Sequence, residues 1–97
     1  MTYRFLTPAL RELAHAAEFY EEKVPGLGAD FIGELDAAIE RILQFPEAWG
    51  RVSDDFRACH LRRFPYSVIY TRPEVDLVLI VSVFHQARRP ESWKRNL

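Results

Sequence analysis

The residues best suited to chemistry or recognition crowd towards the end of the chain. His85-Gln86-Ala87-Arg88-Arg89 follows directly on an apolar run, and Trp93 lies four positions beyond Arg89. Arg62 opens a second cationic point in Leu61-Arg62-Arg63-Phe64-Pro65. Guanidinium groups bind carboxylate or phosphate through planar, paired hydrogen bonds. An indole supplies a broad apolar face, and an imidazole with an ordinary pKa of about 6.5 exchanges protons near neutrality. Polar and cationic groups gathered just past a strand end fit a binding edge better than a core.

Each candidate also has a plainer reading. A single arginine is often ordinary solvated surface, and His85 can cap the sheet with a hydrogen bond to backbone. Trp93 can pack its ring over the sheet edge instead of meeting a partner. Tyr66 and Tyr70 share a strand face and read as core-edge aromatics. Cys59 is the only cysteine, which removes an internal disulfide and a multi-cysteine zinc site and suggests a small buried hydrophobe. His15, His60 and His85 have no metal-ligand spacing, and no glycine loop is arranged to cradle phosphate, so neither a metal nor a cofactor is expected.

The elements that position these groups follow from periodicity. Tyr3–Leu6 reads as a short strand, and Thr7 as the N-cap of a helix with Pro8 in its first turn. Leu10, Leu13, Ala17 and Tyr20 repeat at helical spacing, giving a helix from Pro8 to Lys23 that Val24-Pro25-Gly26 ends. A second helix begins near Leu27–Asp30, carries Phe31, Leu35, Ala38, Ile39 and Ile42 on one face, and stops at Pro46. Phe56–Phe64, Tyr66–Arg72 and Leu77–Phe84 are successive strands with short connections, hence an antiparallel meander. In the last strand strict alternation places Leu77, Leu79, Val81 and Val83 on one face and Val78, Ile80 and Phe84 on the other. Both faces are apolar, so that strand is expected to be covered on both sides, or on one side by a partner chain. The predicted class is α+β in the order β-α-α-β-β-β. An antiparallel helical hairpin packs on one side of a small twisted, mainly antiparallel sheet.

Composition bounds the rest. Ninety-seven residues with 48% hydrophobic content make one domain, residues 1–97. Net charge is only -1, which is not the balance of a general nucleic-acid binder. The halves differ, however: residues 1–48 hold four basic and nine acidic groups, whereas residues 49–97 hold nine basic and five acidic, or -5 against +4. Eight of those nine basic groups are arginine. The opening residues show no charged region followed by an apolar stretch, and no run approaches membrane-spanning length, so a cytoplasmic protein without a membrane partner is expected.

The element order resembles the RelE/ParE superfamily of bacterial toxins from type II toxin–antitoxin (plasmid stabilisation) modules. So do Leu35-Asp-Ala-Ala-Ile-Glu-Arg-Ile-Leu-Gln-Phe-Pro46, Leu61-Arg-Arg-Phe-Pro-Tyr-Ser-Val-Ile-Tyr70 and Val83-Phe-His-Gln-Ala-Arg-Arg89. The resemblance implies a growth-inhibiting toxin neutralised by a cognate antitoxin, with a homo-oligomer open. Two activities occur in the superfamily. The RelE-like branch cleaves messenger RNA on the ribosome, which requires a base, cations for the phosphate and a proton donor. Under that reading Arg62, His85 and Arg88 would be the catalytic candidates. Against it, Ser67 and Gln86 stand where that branch commonly has cations, and its familiar lysines are absent from Arg57-Ala-Cys-His-Leu-Arg62.

The ParE-like branch binds DNA gyrase and implies no catalytic constellation, hence no enzyme. The Leu61-Arg62 pair and the His85-Gln-Ala-Arg88 ending are closer to that branch. The preferred expectation is therefore a gyrase-binding toxin with Arg62, His85, Arg88, Arg89 and Trp93 as the target- or antitoxin-binding edge. The ribosome with messenger RNA is the alternative target. Without the resemblance, an arginine-edged, non-toxic small binding module remains a third reading.

Overall fold

A computed structural model describes residues 1–97. The chain runs β1 (Thr2–Phe5), α1 (Thr7–Lys23), α2 (Leu27–Gln44), β2 (Arg51–Ser53), β3 (Phe56–His60), β4 (Tyr66–Glu74), β5 (Leu77–His85) and a terminal 3₁₀ turn, Ser92–Asn96. The five strands form one sheet in the order β1-β5-β4-β3-β2, with β1 parallel to β5 and every other pair antiparallel. The expected α+β class and meander are present, and the parallel β1 is the sheet's only departure from antiparallel pairing. No helix is long and apolar enough to cross a membrane.

The helical hairpin owes its tightness to its turn. Gly26 takes a left-handed φ of 91°, where a side chain would be strained. The Glu21 carboxylate then accepts the amides of Gly26 at 2.9 Å and Gly28 at 3.0 Å, capping α2 from the preceding helix. A Cβ on Gly28 would lie 2.7 Å from the Ala17 carbonyl, so glycine sets how closely the helices approach.

The face expected of α2 is the face observed: Phe31, Leu35, Ala38, Ile39 and Ile42 are all buried. Helix α1 differs. Its buried residues are Ala9 and Ala16, with Leu13 and Tyr20 packed beside them, whereas Leu10 is 48% exposed. Small side chains let α1 lie close on the sheet, and the stripe rotates to suit. Leu6, not Thr7, is the N-cap, and no side chain caps this helix. The Leu6 amide extends the strand by bonding the Ile80 carbonyl at 2.9 Å, so the helix starts one residue earlier.

The sheet carries apolar side chains on both faces. Val68, Tyr70, Val78, Ile80 and Val83 join the helices in one cluster. Ala58, Ile69, Val81, Phe84 and Trp93 form a second cluster on the other face, so the chain's own 3₁₀ turn supplies part of the second cover. Strict alternation along β5 fails at Val81. Ile69 pairs with Ser82 but Tyr70 with Ile80, so one extra residue enters β5 and the phase shifts. Val83 therefore joins Val78 and Ile80 rather than Val81, and Phe84 moves to the opposite side.

One strand is shorter than expected and one was not expected at all. Strand β3 ends at His60 rather than Phe64, because Leu61 and Phe64 turn inward to the helical cluster ahead of Pro65. The three-residue β2 has no apolar periodicity to betray it; residues 51 and 52 are exposed. Since Ile39 is 2% exposed, Ile39→Ala should destabilise the fold by about 2–5 kcal/mol. A urea titration showing a loss below about 0.5 kcal/mol would contradict this seam between α2 and the sheet.

Candidate functional site

The end of β5 and the turn after it hold most of the candidate edge. His85 is the last residue of β5, paired with Tyr66 across the β4 ladder, and its ring meets the Tyr66 ring edge-on at 4.9 Å. The Ala87 amide donates to His85 Nδ1 at 3.0 Å. That is the backbone capping role considered for this histidine, and it places the proton of the neutral ring on Nε2. A neutral imidazole in this form offers no free lone pair to a substrate hydroxyl.

Arg88 is tied down rather than free. It reaches back to α1, where Nη1 meets Glu12 Oε2 at 3.0 Å, and its guanidinium lies 5.4 Å from the centre of the Phe84 ring. Glu12 itself is a hub. Its other oxygen accepts from Ser82 Oγ at 2.9 Å, the Val83 amide at 3.1 Å and Asn96 Nδ2 at 3.0 Å. Asn96 also donates to the Val81 carbonyl at 2.9 Å. These backbone groups lie beyond the last β1–β5 rung, Phe5↔Ile80, where side chains must replace a missing strand. Together Glu12, His15, Phe19, Tyr66, His85 and Arg88 help line a groove of about 270 Å³ between α1 and β5.

Arg62 and Arg89 behave differently. Both are exposed, and neither guanidinium has an internal hydrogen bond, ion pair or aromatic partner. Arg62 sits in the β3–β4 connection, at the same end of the sheet as His85 because Tyr66 pairs with His85. Its neighbour Arg63 is held by α2: its side chain lies 3.7 Å from Asp30, and its amide donates to Glu34 at 2.5 Å. The expected edge thus divides into two free arginines, Arg62 and Arg89, and one structural arginine, Arg88.

Trp93 requires a correction. It is 2% exposed and packs on Phe56 with ring centres 5.0 Å apart, in the cluster with Ile69, Val81 and Phe84. The outer sheet face needs a large apolar cover, and the 3₁₀ turn delivers the indole to it; Trp93 is core, not accessible edge.

Ser67 and Gln86, two positions that weighed against RNA cleavage, face each other. Gln86 Nε2 donates to Ser67 Oγ and to the Tyr66 carbonyl, both at 3.2 Å, and Ser67 Oγ lies 2.5 Å from His60 Nδ1. Ser67 and Gln86 carry no charge and bond each other. Elsewhere burial pushes the Tyr66 phenol upward, with the nearby Tyr20 acting in the same sense and Arg88 opposing it. Burial also raises the Cys59 thiol despite an Arg41 contact at 3.9 Å, as suits the inert hydrophobe expected there.

Sequence reasoning missed Glu12, His60 and Asn96. For Glu12 a signal existed: it stands three residues after Ala9 and four before Ala16, a carboxylate beside the buried stripe of α1. Glu12→Ala should cost about 1–3 kcal/mol by stranding the Val83 amide and the Asn96 carboxamide. Glu12→Gln should fall between it and the parent in urea titrations; an alanine variant as stable as the parent would remove the hub from the account. Trp93→Ala should cost about 3–5 kcal/mol. Near-native stability combined with lost partner binding would restore Trp93 to the docking edge.

Comparison with known proteins bears on the fold and the family. Among curated proteins, none matches the chain. Among solved structures it is similar to one described as the chromosomal ParDE TA system from P. aeruginosa, with a TM-score of 0.74 and 18% sequence identity. That match covers 88% of this chain and 95% of the other, and at such identity it establishes the shared fold. Residues 3–90 match the family model for the ParE toxin of the type II toxin-antitoxin system, parDE, so the chain belongs to the ParE toxin family.

Proposed function

We propose that this protein arrests growth by docking on DNA gyrase, and that a cognate antitoxin silences it by covering the same edge, as in a plasmid-stabilisation module. The observation that carries the choice of docking over RNA cleavage is the hydrogen-bonded set of His60, Ser67 and Gln86. Cleavage of a phosphodiester needs cations around the phosphate and an available base. Here Ser67 and Gln86 are uncharged and occupied with each other, while His85 Nδ1 is engaged by the Ala87 amide.

Charge placement supports the antitoxin half of the reading. Arg62 and Arg89 have no internal acceptor, whereas Glu18, Glu22 and Glu40 are exposed on the helices and would repel an acidic partner. An acidic amphipathic segment lying along the sheet end gains charge-assisted hydrogen bonds there.

The test compares growth arrest at matched expression. Truncating one hot-spot arginine costs about 2 kcal/mol, roughly a thirty-fold loss in affinity. Arg62→Ala/Arg89→Ala should therefore relieve arrest with little change in melting temperature, since exposed charges contribute little to stability. Arg88→Ala is a poorer probe because it breaks the Glu12 contact. His85→Ala should relieve arrest less than the Arg62/Arg89 pair does. Arrest should also be relieved by co-expressing the product of the neighbouring small gene. The opposite ranking, with codon-phased messenger cuts that vanish in His85→Ala, would establish the ribosome-dependent alternative. Full toxicity without Arg62 and Arg89 would place the docking surface elsewhere.

A further inference from the structure

The largest concavity of the molecule, about 480 Å³, lies at the opposite end of the sheet from His85. Three arginines from three adjacent strands line it: Arg51 on β2, Arg57 on β3 and Arg72 on β4. The register explains their convergence. Arg51 stands directly opposite Arg57, and Arg57 opposite Tyr70, so these side chains form a row across one face, and Arg72 follows Tyr70 by two residues. Like charges placed opposite each other on a sheet are destabilising. A fold tolerates such a row more readily when something anionic offsets it.

Internal groups offset it poorly. Arg51 has no hydrogen bond or ion pair with any other side chain, and Arg57 donates only to a neutral acceptor, the Trp49 carbonyl, at 2.7 Å. Arg72 donates to the Val75 carbonyl at 2.8 Å and meets Glu47 only at 3.9 Å, while its Nε is buried with no acceptor. The acids of the cleft are peripheral: Glu47, Asp54 and Asp55 are exposed, whereas Arg57 and Arg72 are half-buried. A floor of Arg57 and Arg72, with the exposed Arg51 beside it and an acidic rim around it, selects a single compact anionic group and repels a long polyanion. Guanidinium forks arriving from three strands suit a tetrahedral oxyanion better than a planar carboxylate, which presents only two acceptor atoms.

We infer that the Arg51–Arg57–Arg72 cleft binds the phosphate group of a small ligand, free phosphate or a phosphomonoester. This site is separate from the proposed docking edge, so either can fail without the other.

Amide NMR titrations of the full chain with sodium phosphate, at ionic strength held constant with chloride, test the assignment. Saturable shifts are expected at Arg51, Arg57 and Thr71. Arg51→Ala should weaken binding by about tenfold or more, and Arg51→Lys should restore part of it because charge returns without the planar fork. Arg51 is exposed and unpartnered, so its alanine variant should melt no lower than the parent, which separates lost binding from lost folding. AMP in place of phosphate separates the sources: equal affinity means the phosphate group alone is the ligand, and tighter binding means a phosphomonoester. Shifts that chloride alone reproduces, or that persist unchanged in Arg51→Ala, overturn the assignment. So does a single-stranded oligonucleotide that binds this cleft more tightly than AMP, since the acidic rim should exclude a polyanion.

Discussion

Strand β5 lies between β1 and β4, yet β1 runs only from Thr2 to Phe5 and leaves the later part of β5 without a partner on that side. Buried backbone groups left this way cost about 1–3 kcal/mol each unless something else bonds them. Glu12 meets that need with one carboxylate, taking the Val83 amide, the Ser82 hydroxyl and the Asn96 carboxamide on one oxygen and Arg88 on the other. Helix α1, strand β5, the turn after it and the terminal 3₁₀ turn are thereby joined at one side chain. The position of the candidate edge depends on this junction.

Internal acceptors, of which Glu12 is one, sort the arginines. Those with internal work are held at fixed acceptors: Arg88 by Glu12, Arg63 by Asp30, Arg57 by the Trp49 carbonyl and Arg41 by the His60 carbonyl at 3.3 Å. Arg62 and Arg89 are not held, and their charge is open to a partner. Under the proposed docking function that openness has a meaning, because a protein acting by binding would need exposed, adaptable contacts more than a positioned base. The uncharged, mutually bonded Ser67 and Gln86 point the same way.

The outer sheet face shows how closely folding and surface are linked in a chain of this size. With 97 residues there is little apolar surface to spare, and a sheet apolar on both faces must cover the second one from its own tail. Trp93 does so, and its burial against Phe56, Ile69 and Phe84 removes it from the edge where its residue type alone had placed it. Tryptophan suits a binding hot spot and a core equally well by chemistry. Only the neighbours decide between them.

The sequence by itself determined the order of both helices and four of the five strands, the buried face of α2, the sheet-side placement of Tyr66 and Tyr70 and the buried state of Cys59. Each is a local matter, set by the spacing of apolar side chains or by proline and glycine stops. The resemblance to the toxin superfamily was legible for the same reason, since it rests on motifs in order along the chain. Tertiary structure alone decided the rest. The bulge at Val81 reversed the facing of Val83 and Phe84, because a single inserted residue changes the phase of every later side chain, and alternation carries no mark of it. The stripe of α1 turned towards Ala9 and Ala16 because closeness to the sheet, not hydrophobicity alone, selects which side chains fit beneath a helix. Glu12 and Asn96 stand 84 positions apart and meet only because the chain's end folds back over β5. Contacts of that range depend on the whole topology, which is why free and structural arginines look alike in the sequence and separate only in the fold.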